Sequence, residues 1–384
     1  MVQKILYLVS EDWYFVSHRL PMARSAQRAG YEVHVATRIG DCADQIRHDG
    51  FALHPIHWRR GSLNPVRLLA AIVETRRLYR RVCPDLVHHV AVVPAVIGSL
   101  AALGLPIARL NALAGLGFVF TSETATARAV RPFASLILGW LLKRPGTTVL
   151  VQNPDDYAVV SDLGVPKERI ALIPGSGVDT DILTPMPEPP GPFTVGFVGR
   201  LLDDKGARTL VRAHKLLTKR GVAVRTLLAG EPDPSNPASI PDRVLDSWRL
   251  IPNLRLLGHI EDIRSVWAQA HVAILPSRRE GLPKSLLEAA ACGRPLIATD
   301  VPGCREIARN GVNAILIPTD NAEALVHAIE TLSKDRDLRL RLGRASRDIV
   351  TTEYSSTLIG NEIVALYSGL LGGSPSPKLR IGTA

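Results

Sequence analysis

No apolar run in the chain approaches the roughly 20 residues that a membrane-spanning helix needs, although the chain is 384 residues long. The first apolar stretch, Ile5–Ser10, follows Met-Val-Gln-Lys and gives way at once to acids. That is not the shape of a secretory leader, so a cytoplasmic protein is expected. Cysteine is scarce: Cys42, Cys83, Cys292 and Cys304 form no close pair. A disulfide scaffold and a cysteine-built metal cluster are thereby excluded, and the thiols read as idle. Aromatic residues make up only 5% of the chain, too few for the stacking platforms that grip single-stranded nucleic acid. An acidic surplus is also missing. Lysine and arginine number 46 against 36 acids, a formal charge of +10, which suits an anionic partner — nucleic acid, a nucleotide-type substrate or an anionic membrane surface — and with so few aromatics no nucleic acid is expected. A full dinucleotide fingerprint is absent as well: Gly175-Ser176-Gly177-Val178-Asp179 lacks a third glycine and no helical pattern follows, so it reads as a tight turn.

What is present is a repeated alternation of short apolar runs with amphipathic segments. Ile5–Ser10, Tyr31–Thr37, Leu86–Ala91, Arg109–Leu113, Thr148–Asn153 and Ile170–Pro174 read as buried strands, with helical patterns such as Ser17–Ala29 and Pro65–Val82 between them. Thr184–Pro192 then places five prolines in nine positions, a linker and not an element. The rhythm restarts with Phe193–Gly199, Val224–Gly230, Leu254–Gly258, Val272–Pro276, Pro295–Thr299 and Ala314–Pro318. The expected architecture is α/β, two doubly wound Rossmann-like domains facing across a cleft lined by the carboxyl ends of strands. The expected boundaries are 1–185, 186–355, and 356–384 for a last helix, Thr357–Leu371, that returns to the first domain before a frayed tail.

The richest stretch runs from Pro276 to Asp300. A strand ends at Pro276, a turn carries Glu280, Pro283 opens a helix over Ser285–Cys292, and Gly293 ends it. The free amides around Gly281, Leu282, Pro283, Lys284 and Ser285 would make an anion seat, with the Lys284 charge beside it. Glu288, one turn into the helix, can accept two hydrogen bonds from vicinal ribose hydroxyls. Glu280 would face whatever lies beyond the phosphates. A second loop, Gly199-Arg200 to Lys205-Gly206, puts two cations at another strand end, suited to a diphosphate leaving group. The same spacing also fits two solvent-facing glutamates and an exposed basic turn. The pairs Asp155-Asp156 and Asp203-Asp204 suggest metal ligation less than they suggest a helix cap and part of the Arg–Lys loop.

Together Gly199-Arg200, Lys205-Gly206, Gly258 ahead of an acidic helix start, Glu280-Gly281-Leu282-Pro283, Glu288 and Gly303 to Glu306 make the chain resemble the retaining glycosyltransferases of family 4, which have the GT-B fold. The resemblance implies that Arg200 and Lys205 bind the donor diphosphate, that Glu280 contacts the transferred sugar, that Glu288 holds the ribose, and that Gly258, His259 and Ile260 meet the base. It implies a UDP-sugar donor, no obligatory cofactor and no obligatory divalent metal. Ser17-His18-Arg19-Leu20-Pro21, Gly30–Val35 and Asn111–Phe120 are similar to the branch that extends polyprenyl-diphosphate-linked saccharides, whose members add N-acetylhexosamines. A lipid-linked saccharide acceptor and a peripheral place on the cytoplasmic face of a membrane follow from that branch, and Arg128–Arg144 with Ala114–Phe120 would supply the apolar contact. His88 and His89, near a strand end, are catalytic candidates; strand alternation lets at most one reach the cleft. His18 is a lesser candidate. The loop Ser10–Ser17 departs from the family by having no glycine. Two rival readings are a nucleotide-sugar epimerase on the same scaffold and a non-catalytic two-lobed binding protein.

Overall fold

Mostly apolar runs become strands of two wholly parallel sheets, because such sheets are covered on both faces. The computed structural model describes residues 2–58, 64–113, 136–234 and 236–372. The chain divides into two compact units: one formed by the residues up to Ser176 together with those from Ser356 onward, the other by Gly177–Ser355.

The first unit holds seven strands: β1 (Lys4–Glu11), β2 (Glu32–Arg38), β3 (Ala52–Pro55), β4 (Leu86–Val90), β5 (Ala108–Ala112), β6 (Thr147–Val151) and β7 (Ile170–Leu172). Their order is β3-β2-β1-β4-β5-β6-β7, all parallel. Six of them occupy the six apolar runs. The seventh, β3, is an edge strand of half-buried Ala-Leu-His-Pro ending at a proline, so it carries no continuous apolar signal. The helical pattern Ser17–Ala29 is broken at Arg19 into α1 (Asp12–His18) and α2 (Leu20–Arg28). The glycine-free segment after β1 is thus itself helical. Its first residue, Asp12, is buried, and its carboxylate accepts the N–H groups of Trp13 at 2.7 Å, Gly40 at 2.7 Å and Cys42 at 3.1 Å.

The long helices of this unit are α3 (Pro65–Val82), whose start is capped by the Asn64 side chain, and α4 (Val92–Ala101). The last helix of the chain, written α9 (Ser356–Gly372) below, packs against α2, and Gly360 brings it so close that a Cβ there would meet Ser25 Oγ at 2.1 Å. It also supplies the hydroxyl of Tyr367 to the core. That hydroxyl lies 2.7 Å from Tyr7 Oη and 2.6 Å from His88 Nδ1, and all three side chains are fully buried.

The second unit has six parallel strands: β8 (Thr194–Val198), β9 (Arg225–Ala229), β10 (Leu254–Gly258), β11 (Val272–Leu275), β12 (Leu296–Thr299) and β13 (Ala314–Ile317), in the order β10-β9-β8-β11-β12-β13. Helices α5 (Ala207–Lys219), α6 (Lys284–Ala291), α7 (Pro302–Ile307) and α8 (Arg336–Glu353) cover it. The proline-rich stretch forms neither helix nor strand, yet it is fastened to this unit. Arg347 donates to the carbonyls of Thr180 and Leu183, Met186 N–H to Cys292 O, Arg294 to Pro187 O, and Glu188 pairs with Arg336 and Arg339. In each unit the strand order reverses once, between β1 and β4 and between β8 and β11. Ligands of such sheets bind at the carboxyl ends of those strands.

Replacing Tyr367 by Phe keeps the ring but strands the Tyr7 hydroxyl and His88 Nδ1 in the core. A loss of about 1–3 kcal/mol is expected, read as a lower urea midpoint with an unchanged slope; an unaltered midpoint would show that the triad contributes nothing.

Candidate functional site

The reversal between β8 and β11 is where the sequence-selected residues of the second unit converge. After β8 the chain turns through Gly199, Arg200 and a short 3₁₀ turn, Asp203–Lys205, to Gly206. Gly206 has φ +74°, and a Cβ on it would stand 1.9 Å from the carbonyl oxygen of Pro276 at the end of β11. Only glycine tolerates both conditions. The contact brings Lys205 Nζ to 2.6 and 2.8 Å from the two oxygens of Glu280. Ser277 Oγ donates to the same carboxylate at 2.6 Å. The Glu280 side chain is only 7% exposed, so without these partners its charge would be stranded at a cost.

The turn is held from two further directions. Thr299, at the end of β12, donates its hydroxyl to Ser277 O. Gly303, in the first turn of α7, lies so close that a Cβ would sit 2.4 Å from Gly281 O and 2.6 Å from Glu280 O. Arg279 pairs with Asp204 at 2.8 Å, and Arg278 N–H donates to Asp204 O at 2.8 Å, stitching the two loops together.

Pro283 is the N-cap of α6 and carries no side-chain cap. The N–H groups of Leu286 and Leu287 donate back to Pro283 O, so the helix ladder begins just beyond the stretch 281–285 expected to seat an anion. Lys284 and Glu288, four residues apart, approach at 3.4 Å. Burial pushes the Glu288 carboxyl above the ordinary carboxylate range, and the Lys284 ammonium opposes that shift. Arg200 turns to Asp233, at 2.6 Å, in the loop after β9. Gly258, with φ +68°, ends β10, and its carbonyl accepts the Gly230 N–H at 2.7 Å; His259 beyond it is exposed and Ile260 half-buried. A Cβ on Gly230 would lie 2.0 Å from Gly199 O. The ends of β8, β9 and β10 therefore lie backbone to backbone.

Sequence reasoning missed Ser277, Thr299, Gly230 and Asp233. Ser277 and Asp233 each follow a strand end, which is the one signal that could have found them. His88 and His89 are a correction. Both are fully buried inside the first unit, on opposite faces of β4. His88 is bound to Tyr367 and stacked on Tyr7; His89 is bound to Asn111 at 2.7 Å and Tyr79 at 2.9 Å, in the slot that Gly98 leaves open. Burial holds His88 far below the ordinary histidine range and brings His89 down to about 4. Neutral, enclosed and already partnered, neither offers a surface to a substrate. His18 is half-buried and stacks on Tyr14 with ring centroids 4.3 Å apart.

A family model described as "Glycosyl transferase 4-like" matches residues 4–153, and one described as "Glycosyl transferases group 1" matches residues 192–335. The chain is 30% identical over 179 residues to the capsular polysaccharide biosynthesis glycosyltransferase CapM of Staphylococcus aureus; that match spans 47% of each chain, about half its length. It is 24% identical over 368 residues to the N,N'-diacetylbacillosaminyl-diphospho-undecaprenol alpha-1,3-N-acetylgalactosaminyltransferase of Campylobacter jejuni, covering 92% of this chain and 95% of that one. HepE of Anabaena, solved with UDP and glucose, superimposes with a TM-score of 0.77 at 18% identity over 95% of this chain and 99% of that one. At that identity the likeness is one of fold.

Gly206→Ala forces the loop after β8 away from Pro276. We expect a loss of stability of about 2–4 kcal/mol, the size of a severe backbone or packing lesion, read by thermal melting. Gly221→Ala, also at positive φ but with nothing near its Cβ, should cost about 1 kcal/mol. Equal losses would show that the close approach to Pro276 carries no extra weight.

Proposed function

The chain belongs to the glycosyltransferases that join a 4-like first domain to a group 1 second domain, and on that premise we propose that it moves a hexose or N-acetylhexosamine from a UDP-sugar, with retention, to a polyprenyl-diphosphate-linked saccharide in cell-surface polysaccharide assembly. The observation that carries this reading is the Lys205–Glu280 pair at the strand-order reversal, 2.6 Å apart and one turn from the uncapped start of α6. In the proposal Arg200, Lys205 and the first amides of α6 receive the diphosphate, with Gly281, Leu282 and Pro283 forming the turn beneath it and Lys284 adding charge. Glu288 accepts from the ribose hydroxyls. The backbone at Gly258, His259 and Ile260 meets the base.

Glu280 faces the sugar. Its carboxylate is already oriented by Lys205 and Ser277 before donor arrives, so it needs little reorganisation to accept a sugar hydroxyl. Lys205 then divides its three N–H donors between Glu280 and the diphosphate. The acceptor hydroxyl attacks the anomeric carbon on the face from which UDP departs. The bond from that carbon to the diphosphate oxygen breaks with its electron pair, and the acceptor proton passes to that oxygen. The cations are fixed where the negative charge grows, which is where they lower the barrier most. An α-linked product follows from an α-linked donor. No metal or redox partner enters the balance. An epimerase or a two-lobed binding protein would have no use for an acceptor, and product analysis with a panel of UDP- and GDP-sugars separates those readings.

The lipid-linked acceptor places the enzyme at a membrane face. Among the described residues no helix is long and apolar enough to cross a membrane. Residues 136–142 are helical and leave Leu136 72%, Ile137 50% and Trp140 45% exposed, with the Arg144 guanidinium 3.9 Å above the Trp140 ring. The rest of the interfacial segment, 128–135, and the stretch 114–120 lie outside the described residues. Apolar side chains beside arginine suit an anionic lipid surface.

Glu280→Ala should keep donor binding within a few-fold while lowering transfer by about 100-fold or more; unaffected transfer would sink the sugar-contact role. Because burial raises the Glu288 pKa, donor affinity should fall as pH drops through a value above the ordinary carboxylate range, since the protonated acid loses an acceptor. Glu288→Gln should weaken donor binding and abolish that pH dependence, both measurable by calorimetry. Vesicles containing anionic phospholipid should sediment the protein, and Trp140→Ser should reduce the bound fraction; equal binding to neutral vesicles would remove the charge from the account.

A further inference from the structure

At the opposite edge of the second sheet, where strands begin, the protein has a half-open pocket of about 270 Å³. His271, just before β11, and Pro295, just before β12, are at its base; the stretch from Pro185 to Glu188 and helix α8 form its walls. The volume is near the lower end of ordinary ligand pockets, which run from about 300 Å³, so the pocket suits a small ligand. Gly343 lets α8 pack directly onto the chain at Gly293: a Cβ there would collide with Gly293 O at 2.3 Å.

The lining is unusually cationic. Arg294, Arg339, Arg344 and Arg347 contribute to it, against the acids Glu188 and Asp348. Glu188 is already taken by Arg339 at 2.6 Å and by Arg336 at 3.2 Å. Arg347 spends its donors on backbone carbonyls only, those of Thr180, Leu183 and Ala291. Arg344 is exposed on the rim, and no hydrogen bond or ion pair engages it among the described residues. Arg294 is 1% exposed, gives one nitrogen to Pro187 O at 2.8 Å, and keeps its Nε without a partner. Burial works against the charged form of Arg294, and Glu188, whose charge opposes that shift, is already paired with Arg339 and Arg336, so an anion in the pocket would complete it. Beside the arginines stand Pro185, Pro187 and Pro295, flat apolar surfaces that match the C–H face of a small carbon skeleton.

We propose that this pocket binds a small organic phosphate, its phosphoryl group on Arg344 and Arg294 and its body against the prolines, at a site separate from Lys205 and Glu280. Planar guanidinium forks match phosphate oxygens geometrically as well as in charge. A ligand there bridges the proline-rich stretch to α8 and to the start of β11, whose other end leads to Ser277 and Glu280. The inference does not depend on the transferase reading.

Titration of the full chain with a hexose 6-phosphate and, separately, with inorganic phosphate tests it, by calorimetry and by thermal melting. The hexose phosphate should bind and raise the unfolding midpoint, and inorganic phosphate should bind about tenfold more weakly for want of the proline contacts. Arg344→Glu should weaken both about tenfold or more without lowering the ligand-free midpoint, because Arg344 supports nothing else. Lys205→Ala should leave both affinities unchanged. No binding of either probe overturns the proposal, as does undiminished binding by Arg344→Glu. Loss of binding in Lys205→Ala assigns the phosphate to the strand-end site instead and equally overturns it, and equal affinities for the two probes remove the role of the prolines.

Discussion

The second unit is organised around a backbone contact that admits no side chain. With Gly206 against the carbonyl of Pro276, the loop after β8 and the turn after β11 become one surface. That contact sets the distance at which a lysine on one loop meets a glutamate on the other, and the ion pair repays the burial of Glu280. Gly303 repeats the device from the side of α7, and Thr299 ties the turn to the end of β12. A carboxylate held in this way is aimed and nearly dry, two properties that loops rarely give a side chain together. The same contacts explain why the turn is built of residues with so little freedom: each neighbouring strand end touches it through main chain, where small displacements are not absorbed.

The first unit solves a different problem. Its sheet core contains polar groups, and each needs an internal partner. Tyr7 and His88 sit side by side on adjacent strands and find theirs on Tyr367, which arrives 279 residues after His88 in the sequence. The C-terminal helix is therefore a structural part of the first sheet's covering and not an appendage. His89 is satisfied on the other face of the same strand by Asn111 and Tyr79. Two adjacent histidines near a strand end look like chemistry in the sequence. In the fold they are neutral core residues.

Arginine plays an unusual part in joining the proline-rich stretch to the second unit. Prolines remove backbone donors but leave their carbonyls as acceptors without a ladder to join. Arg294, on β12's approach, supplies such a donor to Pro187, and Arg347 of α8 donates to the carbonyls of Thr180 and Leu183 just before the stretch. Arg339 and Arg336 add charge pairing to Glu188. Helix α8 and the approach to β12 thereby fix a segment that could not fix itself, and the same arginines line the cationic pocket.

Much of this protein was legible in one dimension. Mostly apolar runs must be covered on both faces, so alternating runs and helices specified two parallel α/β sheets, and among the described residues twelve of the thirteen strands fall on those runs. Glu280, Glu288, Arg200 and Lys205 were also readable, because polar residues that follow strand ends in such sheets fall where ligands bind. The edge strand β3 was not, since half-burial erases its pattern. Neither was the partner of any charge. That Lys205 meets Glu280 while Arg200 meets Asp233, that Asp12 gathers the amides of Gly40 and Cys42, and that His88 is sealed by a distant tyrosine depend on which elements become neighbours. Strand order is a property of the packed sheet, and sequence spacing carries no record of it.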